Sequence, residues 1–565
     1  MMTSDKKSIS LLADIFVKSG LSDIVISPGS RNAPVILSFV NRKEINAFNI
    51  VDERSAAFFA LGLALSKKKT VAIACTSGSA VLNYASAISE AYYQKIPLLV
   101  LTADRPSHMI DIGDGQTIRQ KEVFRNFIRE SYELPLDIAG EESKDKLENL
   151  INEAINNCVF PQAGPVHINI PFDEPLYNTT DEQISGKLIT FDKRLPGISD
   201  RKIREISDGW NKSKKVMIIA GQTAVNKKIK YGLEKISKNS NTVILTETTS
   251  NVYGVNNIDC IDNVVSGIRE EETESFKPEI LISLGGQVVS KLIKNFLRKH
   301  PPSVHWHISP AGEKMDTYFS LTECIRMDGS VFLDVLSDKL HTVKSDYSTL
   351  WQSRKKKIES RKQNFLKTAE YSDLKVFESI LNHLPANSVL HLGNSTPVRY
   401  SQLFGSRDDI IYISNRGVSG IDGQVSTAAG YAFGSDKLNV MISGDLGFLY
   451  DSNALMNHYL KPNFKIIVIN NSGGGIFRFI PGPDTTPNLE EFFEAKHQWD
   501  ARHIAMTYGL EYRRADTLKQ LESELPDFFM TDHDRGPSVI EIFTPAEKNA
   551  EILRAYFKHI RLFDE

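Results

Sequence analysis

Asn439-Val-Met-Ile-Ser-Gly-Asp445 and Lys465-Ile-Ile-Val-Ile-Asn-Asn-Ser-Gly-Gly-Gly475 each pass from a short, largely apolar run directly into glycine, carboxylate or amide residues. Such a run, bounded by turn residues, has the pattern of a strand buried on both faces of a parallel sheet. In open parallel sheets the ligand lies beyond the carboxyl ends of the strands. Two neighbouring strands ending this way would bring a carboxylate, an amide oxygen and a backbone carbonyl to one point. Those are hard oxygen donors suited to magnesium, and the glycines allow a close backbone approach to a diphosphate. Taken singly, each segment is also what an ordinary strand-end turn looks like.

The same punctuation recurs along the chain. Asp23-Ile-Val-Ile26, Thr70-Val-Ala-Ile-Ala74, Pro97-Leu-Leu-Val-Leu101 and Pro165-Val-His-Ile-Asn-Ile-Pro171 read as strands of a first unit. Helical apolar spacing runs from Arg54 to Ser66 and from Ser79 to Gln94, and the polar stretch from Tyr177 to about Asp192 reads as a linker. A second unit shows Val216-Met-Ile-Ile-Ala-Gly221, Thr242-Val-Ile-Leu245, Ile280-Leu-Ile-Ser-Leu-Gly285 and Val304-His-Trp-His-Ile308. A charged segment, Ser353 to Lys367, reads as a solvated helix leading into a third unit. There Val389-Leu-His-Leu-Gly393, Ile410-Ile-Tyr-Ile-Ser414 and Ser538-Val-Ile-Glu-Ile-Phe543 join the two opening segments. The alternation predicts an α/β protein of three successive doubly wound parallel-sheet domains, at 1–180, 195–350 and 370–565.

Composition agrees with several soluble domains. The chain has 565 residues, too many for one core. A formal net charge of -3 offers no basic footprint, so nucleic acid is not an expected partner. Cys75, Cys158, Cys260 and Cys324 lack paired spacing, which suits a reducing cytoplasm better than a zinc or disulfide framework. Ile9, Leu12, Ala13 and Phe16 fit an amphipathic helix, not a signal peptide. No run is long enough to span a bilayer, and a cytoplasmic location is expected. No Gly-x-Gly-x-x-Gly follows the first strand, which counts against a plain nicotinamide- or flavin-binding protein.

Asp52 and Glu53 open the helical stretch Asp52-Glu-Arg-Ser-Ala-Ala-Phe-Phe-Ala-Leu-Gly-Leu-Ala64. On local grounds they are a cap and a first-turn acid. As an ordered set, however, several segments resemble the thiamine-diphosphate-dependent enzymes, and within them a branch serving menaquinone biosynthesis. They are Ser27-Pro-Gly-Ser-Arg-Asn-Ala-Pro34, the helical stretch above, Thr76-Ser-Gly-Ser-Ala-Val-Leu-Asn83 and Leu101-Thr-Ala-Asp-Arg-Pro106 in the first domain. In the last they are Gly393-Asn-Ser395, Asn415-Arg-Gly-Val-Ser-Gly-Ile-Asp-Gly423, Gly444-Asp-Leu-Gly-Phe-Leu-Tyr-Asp451 and Asn470-Asn-Ser-Gly-Gly-Gly-Ile-Phe477. The middle domain matches weakly.

The resemblance implies thiamine diphosphate and Mg2+ or Mn2+ as cofactors, and a reaction that joins 2-oxoglutarate to isochorismate with loss of CO2. It implies Glu53 as the catalytic partner of the aminopyrimidine N1′, and Asp445, Asn471 and the Gly473 carbonyl as metal ligands. Gly444, Gln116, Ser395, Ile421, Ile476 and Phe477 would contact the cofactor. Substrate contacts would come from Ser30, Arg31, Arg105, Lys291, Arg399 and Arg416. The arginines also make sense alone: both substrates are dicarboxylates, and a guanidinium fork matches a carboxylate bidentately. The family builds its sites between the first domain of one subunit and the last domain of another, so a homodimer or a dimer of dimers is implied. An acetohydroxyacid synthase or simple decarboxylase is the alternative. A histidine would be expected there before the catalytic glutamate, where this chain has Asp52. Three departures from the family pattern are Leu446 for glycine, Gly115 for asparagine and Leu292 for arginine.

Overall fold

The computed structural model describes residues 2–193, 197–254, 256–480, 482–531 and 536–561. The expected domain limits at 1, 195 and 565 lie outside these residues. Three six-stranded sheets follow one another along the chain, and every described pairing within them is parallel. Across the first sheet the strands run Asn46–Asn49, Asp23–Ile26, Val71–Cys75, Leu98–Asp104, Val166–Pro171 and Ser131–Glu133. The last sheet runs Ile411–Ile413, Val389–Leu392, Asn439–Gly444, Phe464–Asn470, Ser538–Phe543 and Glu511–Ala515. Numbered by position along the chain, both have the order 2-1-3-4-6-5. The middle sheet has the order 3-2-1-4-5-6, from Asn257–Ile258 at one edge to Glu323–Arg326 at the other.

These orders put a topological switch point between the first and third strands of the outer sheets, where adjacent connections leave in opposite directions and open a crevice. In the first sheet the crevice lies beyond Ile26 and Cys75, where Ser30, Arg31 and Thr76 follow. In the last it lies beyond Leu392 and Gly444, where Asn394, Ser395 and Asp445 follow.

The first and last domains meet along two helices, Glu53–Lys67 and Gln424–Phe433. A Cβ on Gly62 would stand 1.9 Å from the Thr427 carbonyl oxygen, and one on Gly430 2.0 Å from that of Phe59. Backbone therefore rests on backbone, which only glycine permits at both points. Beside this contact Phe48, Phe59, Phe433 and Tyr459 pack edge-on or tilted. The core on this side of the outer sheets is thus continuous between the two domains.

Some expectations need correction. The stretch from Ser79 to Gln94 is two helices, Ser79–Asn83 and Ala85–Gln94, broken at buried Tyr84. The linker is pinned to the first domain: Thr179–Thr180 pairs antiparallel with Thr3–Ser4, and Asn152 binds the backbone of Lys187 and Ile189. The charged helix, Tyr347–Leu366, is solvated only in part, since Arg354 and Lys362 are buried against carbonyl oxygens and carboxylates. No helix of the described residues is long and apolar enough to cross a membrane.

Candidate functional site

The adjacent strands Asn439–Gly444 and Phe464–Asn470 bring Asp445 and the following glycine loop together. Asn470 shapes the turn: its Oδ1 accepts from Ser472 N at 3.0 Å, while its Nδ2 donates to Glu541 at 2.7 Å. Gly473 then takes a φ of +145°, and a Cβ there would lie 2.5 Å from the Glu494 carbonyl oxygen. Its N–H donates to Asp445 Oδ2 at 2.8 Å, tying the two strand ends together. The other oxygen, Oδ1, accepts from Leu446 N at 2.7 Å. Position 446 contributes a backbone N–H to that bond, so leucine can stand where glycine is usual. The neighbour that cannot carry a side chain is Gly447, whose Cβ would meet Gln424 Nε2 at 2.2 Å.

Asp445 is 3% exposed and Asn471 5%. Beyond Gly444 a Cβ would meet nothing within 4 Å, so the backbone before Asp445 borders open space. The buried His497 Nε2, 3.4 Å from Asp445 Oδ2, has no hydrogen-bond partner. Among the described residues no three His, Cys, Asp or Glu side chains cluster as a metal centre. The donor set here is instead one carboxylate, one amide and one carbonyl. That set fits a hard cation which takes its remaining ligands from phosphate and water. The residues present therefore fit a magnesium-bound diphosphate.

Glu53 is the first residue of its helix, and Asp52 is the cap, accepting from Ser55 N at 3.0 Å. Glu53 Oε2 accepts from Asn83 Nδ2 at 3.2 Å. Cys75 and Tyr84, both fully buried, lie close enough to feel its charge. Burial above all pushes the Cys75 thiol and the Tyr84 phenol far up, with the nearby Glu53 charge adding to it, so this floor is uncharged at neutral pH. On either side of Glu53, Asp52 accepts from Asn453 Nδ2 at 2.7 Å, and Arg54 donates to the Tyr450 carbonyl at 2.8 Å.

The arginines fall into two groups. Arg105 donates to Asp114 at 3.0 Å, to Ser77 Oγ at 2.7 Å and to the Gln116 carbonyl at 2.8 Å. Arg31 donates from its backbone to Thr76 Oγ1 at 3.3 Å and from its guanidinium to the Phe172 carbonyl at 3.1 Å. Arg31, Arg105 and Gln116 thus gather around Thr76–Ser77 at the first domain's crevice, with Ser30 exposed beside Arg31. In the last domain, Arg399 donates to the Ser395 carbonyl at 2.5 Å and Arg416 to Asn394 Oδ1 at 2.7 Å. Burial and their mutual repulsion lower the Arg399 pKa, and burial lowers that of Arg416. Lys291 is exposed at the start of the helix Lys291–Lys299. Among the described residues no hydrogen bond or ion pair joins the two groups. Ile421 is 38% exposed, and Ile476 and Phe477 are half-buried on the turn Gly475–Arg478.

Three residues escape a reading of the sequence. Glu247, fully buried after the strand Thr242–Thr246, accepts from Val289 N and Ser290 N, both at 2.7 Å. It therefore sets the start of the Lys291–Lys299 helix. Burial pushes its carboxyl up to about 7 against the pull of those N–H groups. Asp262 holds Ser290 Oγ from the other side. Lys294, one turn after Lys291, has its pKa lowered by burial, and the charges of Glu247, Arg416 and Arg399 act on it. A strand-end position could have flagged Glu247. Nothing local marks Asp262 or Lys294.

Comparison with known proteins gives the same order of parts. Residues 7–124 match the thiamine pyrophosphate enzyme N-terminal TPP binding domain, 199–392 the middle domain of thiamine pyrophosphate enzymes, and 395–542 the C-terminal TPP binding domain. A 2-succinyl-5-enolpyruvyl-6-hydroxy-3-cyclohexene-1-carboxylate synthase of Flavobacterium psychrophilum is 42% identical over 97% of this chain and 98% of its own. One from Porphyromonas gingivalis is 40% identical over 99% and 98%. The crystal structure of benzoylformate decarboxylase from Polynucleobacter necessarius superposes with a TM-score of 0.72 over 96% of this chain and 99% of its own. At 16% identity that likeness speaks for the fold alone. With three thiamine pyrophosphate enzyme domains in order and relatives of one name along nearly its whole length, the chain belongs to the 2-succinyl-5-enolpyruvyl-6-hydroxy-3-cyclohexene-1-carboxylate synthase family of thiamine-diphosphate enzymes.

Proposed function

We propose that this protein decarboxylates 2-oxoglutarate and adds the succinyl fragment to isochorismate, giving 2-succinyl-5-enolpyruvyl-6-hydroxy-3-cyclohexene-1-carboxylate and CO2 in menaquinone biosynthesis. In this reading it works in the cytoplasm as a homodimer or dimer of dimers, with thiamine diphosphate and Mg2+ or Mn2+. The observation that carries it is Arg416, a guanidinium 7% exposed whose Nε has no hydrogen-bond partner. Among the described residues it forms no ion pair, and neither do Arg399 and Lys294. A buried guanidinium such as that of Arg416, with the half-buried Arg399 and Lys294 near it, is costly without a counter-ion unless an anion completes it. A dicarboxylate substrate supplies that anion.

Bound thiamine diphosphate supplies the carbanion chemistry at its C2 atom by which a 2-oxo acid loses CO2 and passes on its remaining fragment. Glu53 would hold a proton at N1′ of the aminopyrimidine. Asp445, Asn471 and the Gly473 carbonyl would hold the metal, and Gly444 leaves the backbone open to the diphosphate. Gln116 and Ser395 would add polar contacts. Ile421, Ile476 and Phe477 would exclude water, which favours loss of a carboxylate as neutral CO2. Ser30, Arg31, Arg105, Lys291, Arg399 and Arg416 would bind substrate carboxylates, with Lys294 supplying a further cation near the place where Leu292 lacks one.

The test is CO2 release by the purified protein with thiamine diphosphate and Mg2+. Release from 2-oxoglutarate that depends on isochorismate is expected. Turnover of pyruvate with no response to isochorismate would overturn the reading in favour of an acetohydroxyacid synthase or simple decarboxylase.

A further inference from the structure

Asn471 presents a question that its backbone does not answer. Its side-chain amide carries an oxygen and an NH2 group of nearly the same size, and only the oxygen can bind a cation. The residue that decides between them lies 98 positions away in the chain. Asp373, 0% exposed, begins the helix Asp373–His383. Its Oδ2 accepts from Asn471 Nδ2 at 3.1 Å, and its Oδ1 accepts from Thr544 Oγ1 at 2.6 Å. The Asp373 N–H donates to Asn549 Oδ1 at 2.8 Å, and Asn549 Nδ2 donates to Thr544 Oγ1 at 3.1 Å. Both carboxylate oxygens are thus engaged, and Asn549 ties the Thr544 hydroxyl that holds one of them to the Asp373 backbone.

With Oδ1 taken by the Thr544 hydroxyl, Oδ2 is an acceptor facing Asn471, and the amide meets it with its NH2 group. The opposite end of the amide, Oδ1, then faces away from Asp373. A Cβ on Gly475 would lie 2.9 Å from Asn471 Nδ2, so the loop crowds the amide on that side as well. We propose that Asp373 is a positioning residue which holds the Asn471 amide with its oxygen turned to the cation. It is no ligand itself. The proposal rests on the reading of Asp445, Asn471 and Gly473 as the metal site. A merely structural Asp373 would affect folding without regard to which end of the amide faces the metal.

The test is a titration of the protein with Mn2+ at pH 8 in the presence of thiamine diphosphate, following free Mn2+ by electron paramagnetic resonance. Asp373→Asn can both donate and accept, so the amide loses its enforced orientation. Its Mn2+ Kd should rise about 10- to 100-fold, the usual effect of losing an outer-sphere partner of a metal ligand. The swap Asp373→Asn with Asn471→Asp should return Kd to within about threefold of wild type. A carboxylate at 471 offers oxygen from either end, and the hydrogen bond is regained with donor and acceptor exchanged. Circular dichroism of each variant reports the fold, and if Asp373→Asn alone fails to fold, the swapped pair carries the test. Unchanged Mn2+ affinity in Asp373→Asn, or a swapped pair that folds but binds Mn2+ no better than that variant, would overturn the proposal. Asp445→Ala separates the two levels. If it too binds Mn2+ as wild type does, the metal-site reading falls and this proposal with it. If it loses Mn2+ while Asp373→Asn does not, only the positioning role falls.

Discussion

Glu90, on a first-domain helix, accepts the backbone N–H of Gly417 in the last domain at 2.6 Å, and its second oxygen takes the N–H of Val418 at 2.7 Å. The loop so held carries Arg416 on one side and Ile421 on the other. The middle domain grips the same loop, with Gln222 donating to the Ser414 carbonyl at 2.7 Å and Gln287 to that of Gly417 at 2.5 Å. Asn394 adds bonds to the carbonyls of Asn415 and Gly420 at 2.7 and 2.6 Å. All three domains therefore set the position of one arginine.

Glu90→Ala should destabilise the protein by about 1–3 kcal/mol for each N–H left buried without a partner. It should also raise KM for a carboxylate substrate, because Arg416 loses its support. Urea unfolding and steady-state kinetics read the two effects. Unchanged unfolding midpoint and unchanged KM would remove the loop from any role in substrate binding.

Arg416→Ala is expected to cost about 2–5 kcal/mol in kcat/KM, since a buried substrate carboxylate loses its charged partner. Lys294→Met should cost less, about fivefold, because Lys294 is only half-buried and solvent screens its charge. The loss should appear in KM for one substrate rather than in kcat. Equal KM values for both substrates in both variants would return these cations to a structural role.

Acid should weaken the fold through its buried histidines. Burial lowers His391 to about 4, and Asn439 Oδ1 is its ring's partner at 3.0 Å. The folded group stays neutral where the unfolded one, near 6.5, is already charged. Between those values the unfolded chain binds more protons, so stability is lost as pH falls from about 7 to 4. At pH 5.5 the loss from this one group is about 1 kcal/mol. His391→Asn should lose correspondingly less stability between pH 7.5 and 5.5 in urea titrations. A variant with the wild-type slope would exclude His391 as a source.

Glu53→Gln should retain thiamine diphosphate but lose turnover by about 100-fold or more, as expected when a proton-handling carboxyl is removed. Asp445→Ala should be equally inactive through loss of the metal. If sites form between two chains, mixing and refolding the two variants together should restore activity. In a hybrid dimer one site collects both lesions and the other has neither. Equal amounts exchanging at random make half the dimers hybrid, so about a quarter of wild-type activity should return. Confirmed hybrids without activity would place both residues in one chain's site.

What was legible in the residues is the centre of each sheet. Val71–Cys75, Leu98–Asp104, Val216–Ala220, Ile280–Leu284 and Phe464–Asn470 are strands covered on both faces, so each is built on an apolar run with few polar interruptions, and such a run shows in a sequence. Because ligands meet open parallel sheets at strand ends, Asp445 and Asn471 stood out by position, whereas Ser395 and Arg31 were singled out through the resemblance of their segments to a family. Asn46–Asn49, Ser131–Glu133, Asn257–Ile258, Glu323–Arg326 and Glu511–Ala515 were not legible as strands. Each is short or polar and lies at a sheet edge with a single neighbour, so no apolar run betrays it. The partnerships that finish the site were equally hidden. Glu90 and Gly417 are 327 residues apart, and Asp373 and Asn471 are 98 apart. The sequence by itself determined which residue types stand at the strand ends. Only the tertiary structure decided what holds them there, because a buried carboxylate takes whichever N–H groups the packing of three domains brings to it, and that packing has no local signature.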